Sequence, residues 1–364
     1  MTAATHSRIV TIDPNVDPRW AAFVAAHPDG LVYHHPAWLQ VLERAYGYSP
    51  IGLACETEDG QLRGILPLFR TRGVLTGPRL SSLPHTPVAG PLGLDDQATA
   101  DLLRAAVERA QAAPGTQLQL KSLSAQIEPP MDGLVGLPWR ATYVLQLPER
   151  VAELRFGNSR NHSRIKWAVN KAAREGVRVR LAETEADLKA WYQLHLDTVR
   201  RHAIPPAAYS FFKACWELLR PRGLMRLLLA EQEAAGWPRM LAGSIFLMFG
   251  QTAFYAFNGR RREALALRPN DLIQWHAIHH ACQSGFRRYD FGEVTEDNQG
   301  LAEFKSKWAS EPRPLYRYYY PAPREVETGA LRSGSRARQL ASAAWRRLPL
   351  KATALLGDWL YHYL

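Results

Sequence analysis

"LRPNDLIQWHAIHHACQSGFRRYDFGEVTEDNQGLAEFKSKW", residues 267–308, decides how this chain is read. "NDLIQWHAIHHACQSG" predicts a helix over 270–284. "RYDF" (288–291) follows as a short strand, and 300–312 reads as a second, short helix. In that helix Phe304 and Trp308 are four apart and share a face. Glu303 and Lys307 are also four apart, acid first, which gives Lys307 a surface partner. Lys305 finds only Leu301, Ala302, Trp308 and Ala309 at three and four residues' distance. A cation with no acidic neighbour, set beside two aromatics, is a candidate for chemistry. The competing reading is a lysine whose stem lies over an aromatic patch.

Working outward, the same grammar occurs twice. Before residue 267 come a helix over 159–175 ending at Gly176, a strand at 177–181, helices near 184–202 and 206–220, a strand at 224–231, and the pair 240–250 and 251–259. Glycine just past a helix end suits a C-cap. The first part of the chain offers helices at 19–27 and 36–47, then two apolar runs around Asp59-Gly60, a hairpin signal. An amphipathic helix follows at 95–113, then strands at 116–122 and 141–148. Residues 71–94 are rich in Gly and Pro and read as loop. The expectation is an α/β (α+β) chain of two domains, 1–148 and 149–323, with a tail over 324–364. A length of 364 residues agrees with two cores rather than one.

The boundary rests on a composition shift. Residues 149–180 carry nine Lys/Arg against three acids. Within them Arg160, Arg164, Lys171 and Arg174 recur at helical spacing, and Trp167 interrupts the charge as a stacking or a core residue. Asn158, Ser159 and Asn161 stand where free backbone N–H groups would suit an anion. This is the best candidate for an RNA or phosphate surface, with a solvated basic face as the alternative. The formal net charge of +11 points the same way, toward an acidic partner.

Other classes fall away. With 46% hydrophobic residues the chain is not disordered. Three scattered cysteines give no disulfide framework or zinc spacing, which suits a reducing cytoplasm. The first fifteen residues have no secretory apolar core, and no run is long enough to span a bilayer. A serine elbow, a phosphate loop and a dinucleotide glycine fingerprint are all absent. His276, His279 and His280 share a predicted helix, yet the glutamate of a zinc helix is missing, so neither metal nor cofactor is expected. Arg200, Arg201, His202 and Tyr209 flank a Pro-Pro turn where a helix end could face a cleft. The tail, with six Lys/Arg and one acid over 329–364, could be a basic amphipathic helix broken at Pro349. It would lie on a membrane or pack back on the core.

Taken together, these segments resemble the FemAB-like branch of the GNAT acyltransferase superfamily. The resemblance rests on the acidic-aromatic-glycine turn at 290–292 and on the Phe-Lys-x-x-aromatic helix, matched by Phe304, Lys305 and Trp308. Ala309 stands where the family has glycine. "NSRNHSRIKWAVNKAAREGVRV" and "HPAWLQVLERAYGY" are similar to the segments that open its second domain and its N-terminal region, so the likeness covers about residues 30–320.

The resemblance implies two tandem GNAT-like domains around a cleft and transfer of an aminoacyl group from aminoacyl-tRNA to an amine on a muropeptide precursor. It places Lys305 at the donor site, Arg201 and Tyr255 on the acceptor, and Asn258 and Asp290 at strand ends lining the substrate. The family's N-terminal acceptor-binding lysine has no counterpart near Leu42. This leaves the acceptor open, and with the basic tail "AWRRLPLKATALLGDWLYHYL" (344–364) the chain looks closer to relatives tied to exopolysaccharide export. The alternative donor is acyl-CoA, acting on a sugar or lipid-linked glycan. The nearest string to the usual CoA pyrophosphate loop, "RTRGVL" (70–75), ends wrongly. The expected setting is the cytoplasm, with peripheral contact to the inner face of the plasma membrane through the tail. Amide formation passes through a tetrahedral oxyanion, which a fixed cation stabilises. Lys305 suits that role, flanked by Phe304. Glu293, Asp290 or a substrate phosphate are candidate general bases.

Overall fold

A computed structural model describes residues 7–73, 77–82, 84–123, 131–234, 237–295, 298–322 and 343–361. The chain forms two compact units, Met1–Arg140 with Pro314–Arg332, and Ala141–Arg313 with Ser333–Tyr361. These divisions fall at 140/141 and 313/314, whereas the composition shift suggests 148/149 and 323/324. Strand pairing rather than composition sets the division: residues 141–146 pair with the second unit's strands, and 316–320 return to the first.

The first unit is built from β1 (Ser7–Ile12), α1 (Pro18–Ala26), α2 (Pro36–Tyr46), β2 (Pro50–Thr57), β3 (Leu62–Gly73), β4 (Gly77–Ser81), β5 (Leu92–Gly93), α3 (Asp96–Gln111) and β6 (Gln117–Ser122). Its sheet runs β1-β2-β3-β4-β6 and is completed by residues 316–320 of β13 (Glu311–Tyr320). All these pairs are antiparallel except β4 with β6, the two strands on either side of α3 in the chain. Leu102, Leu103 and Ala106 of α3 are fully buried against Leu66, Leu68 and Leu118 of the sheet, the face its periodicity predicts. Asp95 starts that helix by accepting from the Ala98 N–H at 2.8 Å. The hairpin turns where Asp59-Gly60 predicts, with Gly60 at φ +80°. Residues 71–94 are not simply loop. β4 takes partners on both sides, from β3 and from β6, and these distant pairings override its local Gly and Pro content.

The second unit holds α4 (His162–Arg174), β8 (Val177–Leu181), α5 (Glu185–Arg201), α6 (Tyr209–Leu218), β9 (Met225–Ala234), β10 (Trp237–Phe249), β11 (Thr252–Arg260), α7 (Pro269–Gln283), β12 (Arg288–Val294) and α8 (Gln299–Ser306). Its sheet order is β7-β12-β11-β10-β9-β8, where β7 (Val135–Gln146) contributes residues 141–146. Again one pair is parallel, β11 with β12, and again a helix separates those strands in the chain. α7 packs over β8, β9 and β10, while α5 packs on β10 and β11. The α7 face carries one core, in which Ile165, Phe246, Ile273, Tyr289 and Trp308 are buried together. On the α5 side, Trp191, His195, Phe212 and Phe257 form an edge-to-face aromatic cluster.

Three expectations change here. α4 begins at His162, so Arg160 lies in the turn before it and off the helical stripe. The helix expected over 300–312 ends at Ser306, and Glu311 already belongs to β13. Ala309 takes φ +66°, and the Ser310 hydroxyl donates to the Lys305 carbonyl at 2.9 Å, which closes the helix end. In the tail, residues 323–342 and 362–364 lie outside the described residues. The helix Leu350–Tyr361 docks on α5: Thr353 is buried, and a Cβ on Gly357 would come within 2.2 Å of Pro206. Among the described residues no helix is long and apolar enough to cross a membrane.

Candidate active site

The site grows from the place where two parallel strands part. β11 and β12 pair only from Thr252–Phe254 against Arg288–Asp290. Both strands shift register just beyond: β11 against β10 near Phe246, and β12 against β7 between Asp290 and Glu293. Gly292 sits in this break at φ +78°, a conformation that favours glycine. A Cβ there would lie 3.3 Å from the Tyr255 carbonyl oxygen and 3.8 Å from Lys305 Nζ. The carbonyls of Gly292 and Glu293 gain a side-chain partner at this break. Lys305 Nζ donates to them at 2.8 and 3.1 Å.

Lys305 is therefore not a surface lysine over an aromatic patch; only 3% of it is exposed. Burial pushes its ammonium down to about 8, against the opposing pull of Asp290 and Glu293. An ammonium has three N–H donors, and backbone carbonyls hold two. One remains for a reacting group. Asp290 is buried beside it. Its Oδ1 accepts from the Thr142 hydroxyl and from the Gly292 N–H, the latter at 2.7 Å. Burial raises the Asp290 carboxyl, while these donors and the Lys305 and Arg313 cations restrain the rise. Glu293 lies next along β12, half-buried, and Phe304 precedes Lys305 on α8.

Lys307 departs from its expected pairing with Glu303. It forms a buried salt bridge with Asp271 in the first turn of α7, where both side chains are nearly sealed from solvent. Its ammonium lies 4.4 Å from the centre of the Phe304 ring and 5.6 Å from that of Trp308. Trp308 is 1% exposed and packs on Phe291, as a wall of the core.

The residues assigned to acceptor binding fall on β11 and at the end of α5. Tyr255 is pushed up to about 12 by burial, with Ser244, Asn258 and Gln274 restraining the shift. Asn258 Nδ2 donates weakly to Ser244 Oγ and Asn270 Oδ1, at 3.3 and 3.4 Å, and its carbonyl contacts His195 Nδ1 at 2.8 Å. Arg201 is held inside the unit, bonded to Asp197, Thr198 and the Arg260 carbonyl. His202 caps α5 and stays exposed, and partial desolvation with the Arg260 and Arg201 cations nearby lowers its pKa.

The basic segment has a definite organisation. Ile165, Ala168, Val169 and Ala172 bury one face of α4, which leaves Arg164 and Arg174 exposed and Lys171 half-exposed. Trp167 is 47% exposed, unusual for so large an apolar ring. Lys171 Nζ and the Arg268 guanidinium lie 5.4 and 5.6 Å from its ring centre. Arg268, at φ +59°, immediately precedes α7. Burial lowers the Lys307 pKa, Asp271 opposes the shift, and the nearby Arg164 and Arg268 cations add to it, so this cationic surface reaches the first turn of α7. The structure thus brings Asp290, Glu293, Lys305 and Tyr255 to the strand opening, and Arg164, Trp167 and Lys171 to a neighbouring surface. Arg160 and Arg174 lie at the two ends of α4, while Arg201 and His202 lie at the end of α5.

Sequence reasoning did not find Thr142, Asp271 or Arg268. Thr142 lies 148 residues from Asp290, and Asp271 resembles an ordinary acid in a helix's first turn. Arg268 beside Trp167 has no local signature.

Residues 159–306 match the family model described as an acetyltransferase (GNAT) domain. No curated protein matches the sequence. Solved structures do. The crystal structure of FemX superposes with a TM-score of 0.67 at 17% identity, over 86% of this chain and 97% of that one. The C-terminal domain of a putative lysylphosphatidylglycerol synthetase from Agrobacterium fabrum gives 0.55 at 13%, over 86% and 94%. A tandem GNAT protein from the clavulanic acid biosynthesis pathway gives 0.51 at 12%, over 88% and 100%. At these identities the structural likeness is one of fold.

Proposed function

We propose that this chain, an acyltransferase of the GNAT superfamily with the FemAB-like fold, moves an aminoacyl group from aminoacyl-tRNA to an amine on a muropeptide or other cell-surface glycan precursor. The acceptor amine attacks the carbonyl carbon of the aminoacyl ester. The resulting oxyanion receives the free N–H of Lys305, held in place by the Gly292 and Glu293 carbonyls. Collapse expels the ribose hydroxyl oxygen, which takes up the proton released by the amine. Removing one such oxyanion donor costs about 10²–10³ in rate.

The observation that carries the choice of donor is the exposed Trp167 ring between Lys171 and Arg268, on a basic helix face. An unburied ring flanked by cations suits a nucleic-acid base with its phosphates. The names of FemX and of the putative lysylphosphatidylglycerol synthetase support an aminoacyl group as cargo. The acetyltransferase description of the domain supports the alternative, an acyl-CoA donor. Between Arg260 and α7, however, the chain has no glycine to let backbone approach a pyrophosphate closely. The C-terminal helix adds a peripheral contact at the inner face of the cytoplasmic membrane. Leu355 and Leu356 are exposed on it, near Arg346, Arg347 and Lys351.

A filter-binding titration over several salt concentrations tests the donor. The expected result is a steep fall of tRNA affinity with salt, with the slope shallower by roughly 0.7–0.9 for each of Arg164 and Lys171 replaced. Saturable acyl-CoA binding with no tRNA affinity at low salt would reject aminoacyl-tRNA and install the alternative.

A further inference from the structure

A cavity apart from the strand opening lies in the second unit, between α7 and the outer strands β8, β9 and β10. Its volume is about 150 Å³. Leu228, Phe246 and Met248 form apolar walls, and Arg226, His276 and His280 supply the polar groups. Tyr289 of β12 also borders it. The next residue, Asp290 of the strand opening, points to the opposite face, because side chains alternate along a strand.

Two arginines reach this cavity, and they differ. Arg180 is neutralised twice, by Asp187 at 2.7 Å and by Glu231 at 2.8 Å. Arg226 stands half-buried between the buried residues Met225 and Leu227, opposite Phe246 in the sheet. Among the described residues no carboxylate pairs with it and no side-chain hydrogen bond engages its guanidinium. Burial alone accounts for its depressed pKa. A partly desolvated guanidinium without a counter-ion is costly to maintain. His276 is exposed at the rim and His280 half-buried; partial desolvation lowers both, so near neutral pH they offer hydrogen bonds without a positive charge.

We propose that this cavity binds a small organic carboxylate, with the planar carboxylate on Arg226 and its hydrocarbon part against Leu228, Phe246 and Met248. A guanidinium fork matches a carboxylate with two parallel hydrogen bonds. A space of this size holds a single benzene-sized ring. The apolar walls favour such a ligand over a free phosphate, which would leave them unoccupied.

Isothermal titration of the full-length protein with benzoate, benzamide and inorganic phosphate tests this. Saturable binding of benzoate is expected, with benzamide and phosphate at least tenfold weaker. Arg226→Gln should weaken benzoate at least tenfold. Met248→Trp, which fills the cavity and leaves Arg226 in place, should abolish binding and keeps the test available if the arginine variant fails to fold. Equal affinity for benzamide would overturn the role of charge. Phosphate binding as tight as benzoate would overturn the apolar half of the site. Absence of benzoate binding at millimolar concentration, or full retention in Met248→Trp, would overturn the proposal.

Discussion

Lys305 and Lys307 stand two residues apart at the end of α8, and both are shielded from solvent. Lys307 meets a carboxylate, Asp271, in a closed ion pair. Lys305 meets two backbone carbonyls, which orient its ammonium without neutralising it. The first arrangement cancels a charge and ties α8 to α7. The second keeps a charge available where strands β11 and β12 part. Burial alone therefore does not separate a structural lysine from a chemical one; the partner does. A carboxylate partner completes the electrostatics, whereas carbonyl partners leave a donor and a net charge for something else.

The largest effect that could break this contrast is on stability. Lys307→Met leaves Asp271 buried without a counter-ion, and the expected loss is about 3–5 kcal/mol in denaturant unfolding. Adding Asp271→Leu should recover most of it, because a buried pair replaced by apolar groups is often near neutral. A loss below about 1 kcal/mol would show that the pair behaves as a surface bridge.

Next is Lys305→Met. If, as proposed, the cation acts on the oxyanion and not on the donor's body, single-turnover transfer should fall by about 10²–10³ with donor affinity unchanged. Leaving two carbonyls short of a partner adds a stability loss of about 1–3 kcal/mol. Comparable loss of transfer per folded molecule in Lys305→Met and Lys307→Met would erase the distinction between them.

A smaller effect concerns the donor surface. Trp167→Ala should weaken donor RNA by about 1–3 kcal/mol if a base stacks there, measured by filter binding, while melting temperature stays nearly constant. The smallest concerns the turn that closes α8. Ala309 occupies a left-handed position at φ +66°, and Ala309→Gly should raise stability by about 1 kcal/mol. An unchanged or lowered melting temperature would mean that the turn is not strained.

That turn also shows where sequence reading reached and where it stopped. A helix with a clear periodic face, such as α3, was legible because burial of one stripe repeats locally. So was the hairpin at Asp59-Gly60, whose turn chemistry lies within two residues. β4 was not, because its partners come from β3 and β6. The end of α8 was not, because alanine carries no sign of a left-handed backbone. In the candidate site, Lys305 stood out by what it lacked nearby. Lys307 was misassigned because Glu303 is local while Asp271 is 36 residues away. No helical spacing rule can see a partner at that separation, nor that the lysine is buried.

The pH dependence of transfer separates a Lys305 that acts as a cation from one that acts as a base. Its folded pKa, about 8, lies below the ordinary lysine value of 10.5. Above pH 8 the folded protein loses this proton while the unfolded chain keeps it. The stability contribution of this group therefore rises between about pH 8 and 10.5. Its contribution to transfer runs the other way, because the neutral amine has only the two N–H groups already on carbonyls. Single-turnover kcat/KM should fall progressively above pH 8, and Lys305→Met should remove this descending limb. A rate that climbs through pH 8 to 9.5 in the wild type would contradict a cationic Lys305, since that is the behaviour of a lysine acting as a neutral base.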